Sequence, residues 1–505
     1  MSAMILAVLV PVILVGVSLA AKLARAALHR RDAERRFGER TAYKQQREAE
    51  RLQKANVAVE QVVGHYFPFA APEFGARRVK EESGRDRLHR VLANTPGISL
   101  GTASVGFPAV LPLVERRKHL IGIGKSGYGK TSIALRLIKD DLLQGRGVCI
   151  LTSEAELCRD WLLPSVPTQR ARDVVYFRPA DRDCTVSWNP MVVEPGDDRA
   201  LAAGELFSIL KRSIGERSIG ARADAILSSS LAALVGRPGA TLWSVARLLE
   251  DEAFRTSVIA DLDDPYLSAF WTGTFPEYPD SAVLPVVHRL TQFLRLPTLR
   301  AALCHPASSF SLRESLANDR IVLFDVSGLD PDATMLVGQM LLSKFQIELM
   351  RRERVPEQER RPFHVYVDEF HVFATTAEGT WRELLARGRR YGLGLHLFTQ
   401  HPNQLPRSLQ HEIFGNVSSV IALNLSGTDA ATIRRELLVP CPDGSLRPIV
   451  AENLVSLPVG EGFARLAGGA CSLRVKFAQP LEKPDRELGV RIPVMVNTHS
   501  GHRER

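Results

Sequence analysis

Residues 119–143 read HLIGIGKSGYGKTSIALRLIKDDLL and give the strongest indication of the fold class. It opens with an apolar run, His119–Ile123, and closes with a helical pattern, Ser132–Leu143. Between them lies the complete motif G-x-x-x-x-G-K-[ST], at Gly124–Thr131. Because the motif is complete and stands between a strand pattern and a helix pattern, it predicts a phosphate-binding loop rather than a chance match.

The residue types of this loop suit a nucleoside triphosphate. Its glycines let the backbone turn its N–H groups inward, and the following helix adds the positive end of its dipole. Lys130 is placed to reach the β- and γ-phosphates, and Thr131 to bind Mg²⁺. We therefore predict ATP and Mg²⁺ as cofactors. The predicted nucleotide-binding residues are Gly124, Lys125, Ser126, Gly127, Tyr128, Gly129, Lys130, Thr131 and Ser132.

Composition sets broad limits on the chain. Its 505 residues are 45% hydrophobic, which allows a large core, and the length suggests about three domains. The six cysteines form no C-x-x-C pair, as is typical of thiols in a reducing compartment. The thirteen histidines form no H-x-x-x-H or H-E-x-x-H cluster, which argues against a structural metal. A net charge of +9 favours an anionic partner, either nucleic acid or a lipid surface.

The chain begins with an apolar segment. Residues 3–21, AMILAVLVPVILVGVSLAA, carry no charge and match the ~20 residues that span a bilayer. We predict a transmembrane anchor over residues 1–21. The alternative, a cleaved signal peptide, would need a charged segment before the apolar core. Because the positive charge follows the span, we expect a single-pass protein of the inner (cytoplasmic) membrane with its bulk in the cytoplasm.

A basic helical linker is predicted over residues 22–75. Between Lys22 and Lys54 the chain has eleven Lys or Arg residues against five acids, and no proline. A solvated spacer helix is the default interpretation of such a segment, and contact with lipid headgroups is the alternative.

Short β-branched or aromatic runs recur after the linker and alternate with helical patterns, which predicts an α/β fold with a parallel sheet. These runs are His119–Gly124, Val148–Thr152, Val174–Phe177, Arg320–Val326, His364–Asp368, Leu395–Thr399 and Val420–Asn424. A last pair, Gly462–Leu466 and Ser472–Phe477, is typical of a closing hairpin around Gly468-Gly469.

One interval has almost no strand pattern. Between Asp197 and Leu303 helical patterns dominate, so we predict an all-α domain, residues 197–310, inserted into a nucleotide-binding domain. That domain would consist of residues 76–196 and 311–480, and residues 481–505 would form a polar tail.

Three further positions are candidates for hydrolysis. The apolar strand Phe363–Val367 ends in Asp368, which can hold Mg²⁺, and Glu369, which can polarise the attacking water. Gln400 ends another strand and can sense the γ-phosphate, although an ordinary turn residue would look the same. Arginines of the basic helix Trp381–Tyr391 can form a solvated face or supply an arginine finger to a neighbouring subunit.

The order of these motifs resembles that of a known family. After the phosphate loop come VVYFRPADRDCTVSWNPM (174–191), the helical insert, RPFHVYVDEFHVFAT (361–375), LLARGRRYGLGLHLFTQHPNQLP (384–406) and FGNVSSVIALNLSGTDA (414–430). Over roughly residues 95–480 the chain resembles the type IV coupling proteins, which are conjugative DNA-transfer ATPases of the FtsK/HerA group.

The resemblance implies a RecA-like P-loop domain with Asp368 and Glu369 as its Walker B pair. It also implies Gln400 as the strand-end motif and Arg389 as the finger that acts in trans. It further implies a homo-hexameric ring that moves DNA, without sequence preference and in single-stranded form. Secretion-channel and relaxosome proteins are the partners it implies, and the inserted domain would select the substrate.

Two features depart from the family pattern. Relatives often carry Asp-Pro-Lys-Gly-Asp after the second strand, where this chain has Thr152-Ser153-Glu154-Ala155-Glu156, so no function is carried over to that loop. Many relatives also have two spanning helices rather than one. Two alternative functions stay open: a HerA-like DNA pump in repair, and a non-hydrolysing, ring-shaped cargo receptor.

Overall fold

The computed structural model describes most of the chain after residue 59. The described residues are Lys22, Arg25, Leu28 and Arg35, and the ranges 59–76, 83–181, 186–214, 220–375, 377–441 and 445–483. The predicted anchor, most of the predicted linker and nearly all of the polar tail lie outside them. Within the described part, none of the helices has the length and apolar character needed to cross a bilayer.

The chain divides into two compact units, one of residues 1–65 and 70–91, the other of residues 66–69 and 92–505. In the described part of the first unit, helix Ala71–Ala76 precedes the start of helix Gly84–Asn94. The guanidinium of Arg87 lies 4.3 Å from the centre of the Phe74 ring, a cation–π contact that joins the two helices.

The second unit is built on a large mixed sheet. Among the described residues it has eleven strands in the order β2-β1-β13-β12-β9-β3-β8-β7-β4-β6-β5, and β10 and β11 pair separately. The strands are β1 Gly97–Ala103, β2 Pro108–Pro112, β3 Leu120–Ile123, β4 Gly147–Thr152, β5 Val174–Phe177, β6 Ile321–Asp325, β7 Phe363–Val367, β8 Leu393–Thr399, β9 Ser419–Ala422, β10 Leu438–Pro440, β11 Leu446–Pro448, β12 Glu461–Arg465 and β13 Leu473–Phe477.

The seven strands from β9 to β5 are parallel, which confirms the predicted parallel sheet. Strands β3, β4, β6, β7 and β8 are buried along their whole length, as expected where helices cover both faces of a parallel sheet. Outside the helical insert, the described helices that follow β3 are Lys130–Leu143, Leu163–Ser165, Pro331–Met350, His371–Ala374, Glu378–Arg387, Arg407–Asn416, Gly427–Ile433 and Ala451–Val455.

An antiparallel extension continues the sheet beyond β9. The predicted closing hairpin is confirmed as β12 and β13, which pair antiparallel on either side of Gly468-Gly469. Strand β13 also pairs with β1, and β1 with β2. No local sequence pattern predicts the β1–β2 hairpin.

Helices fill the interval between β5 and β6, and its described residues contain no strand. Their hydrophobic side chains belong to the same core as the sheet, so the insert packs on the nucleotide-binding fold rather than standing apart. The exact limits 197 and 310 stay predictions. The helices are Arg199–Ile214, Ala221–Leu234, Leu242–Glu250, Glu252–Ala260, Pro265–Ala269, Asp280–Leu294, Pro297–Leu303 and Leu312–Ala317.

A buried polar network joins helix Lys130–Leu143 to strand β7. The guanidinium of Arg116 binds both oxygens of Asp141 at 2.7 Å, and the Tyr366 hydroxyl donates to the same carboxylate at 2.5 Å. Asp141 lies near the end of helix Lys130–Leu143, and Tyr366 lies on β7. The network therefore fixes the helix that follows the phosphate loop against the strand that carries Asp368 and Glu369.

Candidate functional site

The predicted phosphate loop connects β3 to helix Lys130–Leu143, as the sequence indicates. Gly127 has φ +79° and Gly129 has φ +111°, so both adopt the left-handed conformation that residues with a side chain avoid. At both glycines a Cβ would meet no atom within 4 Å. Backbone conformation, rather than lack of space, therefore requires glycine here, and the mouth of the loop is open.

Lys130 is held at the base of this loop. Its side chain is buried, and Nζ donates a hydrogen bond to the Lys125 carbonyl at 3.3 Å. Burial lowers the pKa of Lys130, and the nearby carboxylates of Glu369, Asp368 and Glu154 partly oppose this effect. A phosphate oxygen that took the place of the Lys125 carbonyl would supply a stronger, charge-assisted bond.

The two predicted Walker B carboxylates follow β7. Asp368 is 4% exposed, and its buried Oδ1 has no hydrogen-bond partner among the described residues. Burial, with the carboxylates of Glu369 and Glu154, raises the pKa of Asp368 to about 7. Glu369 has φ +49°, a conformation that is uncommon for a residue other than glycine and is found mostly where surrounding contacts impose it.

Gln400 contacts Glu369 directly. Strand β8 lies between β3 and β7, so its carboxyl end places Gln400 between the phosphate loop and the Walker B pair. The Gln400 amide donates a hydrogen bond to Glu369 Oε1. Nδ1 of His371, a residue the sequence analysis did not select, lies 3.4 Å from Glu369 Oε2. Gln400 therefore holds one oxygen of the predicted water-activating carboxylate, while Oε2 has no hydrogen-bond partner among the described residues.

A cavity of about 370 Å³ opens in front of these residues. Predicted residues line one part of it, namely the run Ser126–Ser132 together with Glu369. The rest of the wall comes from positions that the motifs did not indicate. These are Leu100 on β1, Ile133, Arg136, Glu154, Val459, Gly460 and the run Lys476–Pro480.

The C-terminal strand closes the far side of this cavity. Arg136, in the second turn of the P-loop helix, donates a hydrogen bond to the Gln479 carbonyl at 2.9 Å. The predicted hairpin was the only sequence signal for this wall. Its position beside the phosphate loop depends on the pairing of β12 with β9, which no local pattern reveals.

The donor set suits Mg²⁺ bound together with a triphosphate. Mg²⁺ at such sites keeps few protein ligands and takes the rest from phosphates and water. The Thr131 hydroxyl and the unpartnered Asp368 Oδ1 are ligands of this kind. Among the described residues there is no group of three or more His, Cys, Asp or Glu side chains that would hold a metal by itself.

Arg389 lies away from this cavity. It belongs to the 3₁₀ turn Gly388–Tyr391, immediately before β8. Strand β8 runs parallel to β3, with His396 opposite Leu120, so Arg389 lies at the edge where the strands begin. The phosphate loop lies at the edge where they end. Arg389 is exposed, and within one chain it does not reach the site.

The chain was compared with protein families and with known proteins. No family model matches it, and no curated protein matches it by sequence. Solved structures do match. The unbound bacterial conjugative coupling protein TrwBdeltaN70 has a TM-score of 0.57 at 16% identity, over 79% of this chain and 93% of that one.

Two further structures give the same result. The plasmid coupling protein TrwB in complex with ADP and Mg²⁺ has a TM-score of 0.56 at 16% identity, over 80% of this chain and 94% of that one. VirB4 of Thermoanaerobacter pseudethanolicus has a TM-score of 0.52 at 18% identity, over 76% of this chain and 97% of that one. This chain therefore has the α/β fold shared by the coupling protein TrwB and by VirB4.

Proposed function

We propose that this protein is a membrane-anchored ATPase that uses ATP binding and hydrolysis to move DNA, or a DNA–protein substrate, to a type IV secretion or conjugation machine. The observation that carries the proposal is the contact of Gln400 with Glu369 beside the phosphate loop. It occurs on the fold of TrwB, a conjugative coupling protein that has been solved with ADP and Mg²⁺ and with an ATP analogue.

Each site residue has a definite task in this mechanism. The backbone N–H groups of the loop and Lys130 bind the phosphates, and Thr131 and Asp368 hold the cation. Bound Mg²⁺ supplies charge neutralisation at the transferred phosphoryl group. Glu369 orients and polarises the attacking water, while Gln400 holds the Glu369 carboxylate and lies next to where the γ-phosphate would bind. The last step, stabilisation of developing charge, is assigned to Arg389 of an adjacent subunit.

A ring of subunits is part of the proposal. Arg389 is exposed at the opposite sheet edge from its own phosphate loop, so it can serve a site only in a neighbouring copy. A homo-hexamer would bring these two edges together at every interface. DNA would bind by phosphate attraction to basic side chains, which makes binding independent of sequence and sensitive to salt.

The membrane attachment is proposed from the sequence. The uncharged segment of residues 3–21 would anchor the chain in the inner membrane, with the ATPase in the cytoplasm. Deletion of residues 1–21 should move the protein from the membrane pellet to the supernatant. Continued pelleting of the shortened chain would overturn the anchor.

ATP turnover of the purified full chain, with and without single-stranded DNA, tests the central claim. We expect turnover that DNA stimulates, abolished by Lys130→Ala and by Glu369→Gln. Lys139→Ala, an exposed lysine on the same helix, is the matched control and should keep full activity. If the wild type hydrolyses ATP no faster than the two site variants, the motor function is wrong and a non-hydrolysing receptor becomes the better description.

A second assay separates DNA transfer from DNA repair. In donor cells that lack the gene for this protein, transfer of a mobilisable plasmid should fall and be restored by the wild type but not by Lys130→Ala. Unchanged transfer combined with sensitivity to DNA damage would favour the HerA-like alternative.

A further inference from the structure

Glu154 is a carboxylate of the nucleotide cavity that no motif indicated. It lies two residues beyond β4, the strand next to β7, where its N–H donates to the Thr152 hydroxyl at 3.0 Å. Its side chain lines the same cavity as Lys130 and Glu369. Glu156, two residues further on, is not among the described residues that line this cavity, and it pairs with Lys483 at 3.4 Å.

Glu154 and Glu369 line the cavity together with Lys130. The carboxylates of Glu154, Asp368 and Glu369 all act on the Lys130 ammonium group. They also act on one another: burial and Glu369 raise the pKa of Glu154, and Glu154 contributes to the raised pKa of Asp368. The other cations that line the cavity are Arg136, which is bound to the Gln479 carbonyl, and Lys476 on β13.

Glu154 opposes a free triphosphate. The terminal phosphates of ATP, bound at Lys130, would meet like charge from Glu154 on the wall of the same cavity. A divalent cation bound with the triphosphate would weaken that repulsion, because it would remove two negative charges from the ligand and attract the carboxylates. Asp368 and Glu369 are needed for the metal and for water, whereas Glu154 has neither task in the proposed mechanism.

We propose that Glu154 makes nucleotide binding depend on the divalent cation, as a specificity-determining residue that favours the metal complex of the triphosphate over the free triphosphate. The inference rests on the proposed function of the phosphate loop as the triphosphate site. It gives the Thr152–Glu156 loop, which departs from the family pattern, a definite role.

The test is nucleotide affinity with and without metal. ATP binding to the full chain is measured by titration calorimetry, once with excess Mg²⁺ and once with EDTA. The readout is the dissociation constant in EDTA divided by the dissociation constant in Mg²⁺. We expect Glu154→Gln to lower this ratio by about tenfold, chiefly because metal-free ATP binds more tightly. Glu154→Lys should lower it further, and Glu156→Gln should leave it at the wild-type value.

Two results would overturn the inference. One is an unchanged ratio in both Glu154 variants, with thermal unfolding that confirms the native fold. The other is weaker binding of Mg–ATP by Glu154→Gln with metal-free binding unchanged, which would make Glu154 a metal contact instead. If the wild type binds no Mg–ATP at all, the proposed function itself fails, and that outcome is distinct from either result.

Discussion

The Gln400 side-chain amide donates a hydrogen bond to Glu369 Oε1 and so joins the carboxyl ends of two adjacent parallel strands, β8 and β7. With His371 beside the other carboxylate oxygen and a left-handed backbone at Glu369, this glutamate is positioned from three directions. A γ-phosphate in the phosphate loop would compete for the same amide. In the proposed mechanism this contact would link the nucleotide state to the position of Glu369.

We expect Gln400→Ala to lower kcat for ATP by about 10²-fold, a loss typical of a positioned polar group next to the reacting atoms. Nucleotide affinity should change little, because the loop and Lys130 supply most of the phosphate contacts. Steady-state turnover and calorimetric binding of Mg–ATP measure the two effects separately.

The matched control for this variant is Gln404→Ala, which alters an exposed glutamine four residues away in the turn Pro402–Gln404. It should retain wild-type turnover. Equal losses in the two variants would mean that the turn as a whole, rather than the Glu369 contact, matters for activity.

Arg389→Ala should reduce turnover by about 10³-fold while Mg–ATP still binds, as expected for an arginine that acts across an interface. Mixing provides the decisive measurement. Subunits with Lys130→Ala keep Arg389, and subunits with Arg389→Ala keep an intact loop, so mixed assemblies should regain activity that neither variant shows alone.

Arg390→Ala is the control for this experiment, since Arg390 is exposed and pairs with Glu353 at 3.3 Å. It should remain active. If mixing restores no activity although the two variants co-assemble, Arg389 does not act in trans.

Arg116→Met should destabilise the protein by about 3 kcal/mol, because it leaves the buried Asp141 carboxylate without its bidentate partner. The loss stays near this value because Arg146 and Tyr366 still contact Asp141. Urea unfolding followed by tryptophan fluorescence measures it. Arg117→Met changes a neighbouring, half-buried arginine and should shift the midpoint far less; equal shifts would argue against a role for the buried pair.

Three buried histidines predict loss of stability in acid. Burial lowers the pKa of His119 to about 4 and of His364 to about 3, and it lowers the pKa of His396 well below its usual value. Below pH 6.5 the unfolded chain binds protons that the folded chain does not, so stability falls as the pH drops. Each ring contributes up to about 1.4 kcal/mol per pH unit.

Asp368 acts in the opposite direction between about pH 4 and 7, because the folded state holds its proton more tightly than the unfolded state. Glu154 and Glu205, whose pKa values burial also raises, act in the same direction as Asp368, so the loss in acid is smaller than the three rings alone would give. His119→Gln should therefore flatten the pH dependence of the unfolding midpoint, whatever it does to stability at pH 8. His288→Gln changes an exposed histidine and should leave the pH dependence of the unfolding midpoint as in the wild type. An equal pH dependence in the wild type, His119→Gln and His288→Gln would contradict the role assigned to the buried His119 ring.

Local pattern was enough to predict the parallel strands, because each is a short apolar run buried on both faces and bounded by turn residues. It failed at the β1–β2 hairpin for a physical reason. Strand β1 contains Gly97 and Gly101, and β2 begins and ends with proline, residues that normally argue against a strand. Pairing with β13 and burial of the apolar side chains stabilise this hairpin in spite of its composition.

The phosphate loop could be predicted from local sequence alone, because its chemistry is local: glycines that turn the backbone, a lysine and a threonine at the start of one helix. The order of the strands then brought Asp368, Glu369 and Gln400 to the same sheet edge, as their strand-end positions predicted. What faces these residues follows only from long-range packing. Glu154 follows β4, which pairs with β7 more than 200 residues further along the chain, and the strand that ends at Phe477 pairs with β1 across more than 300 residues. Arg136 binds the carbonyl of Gln479 across a similar separation, and no local pattern encodes such contacts.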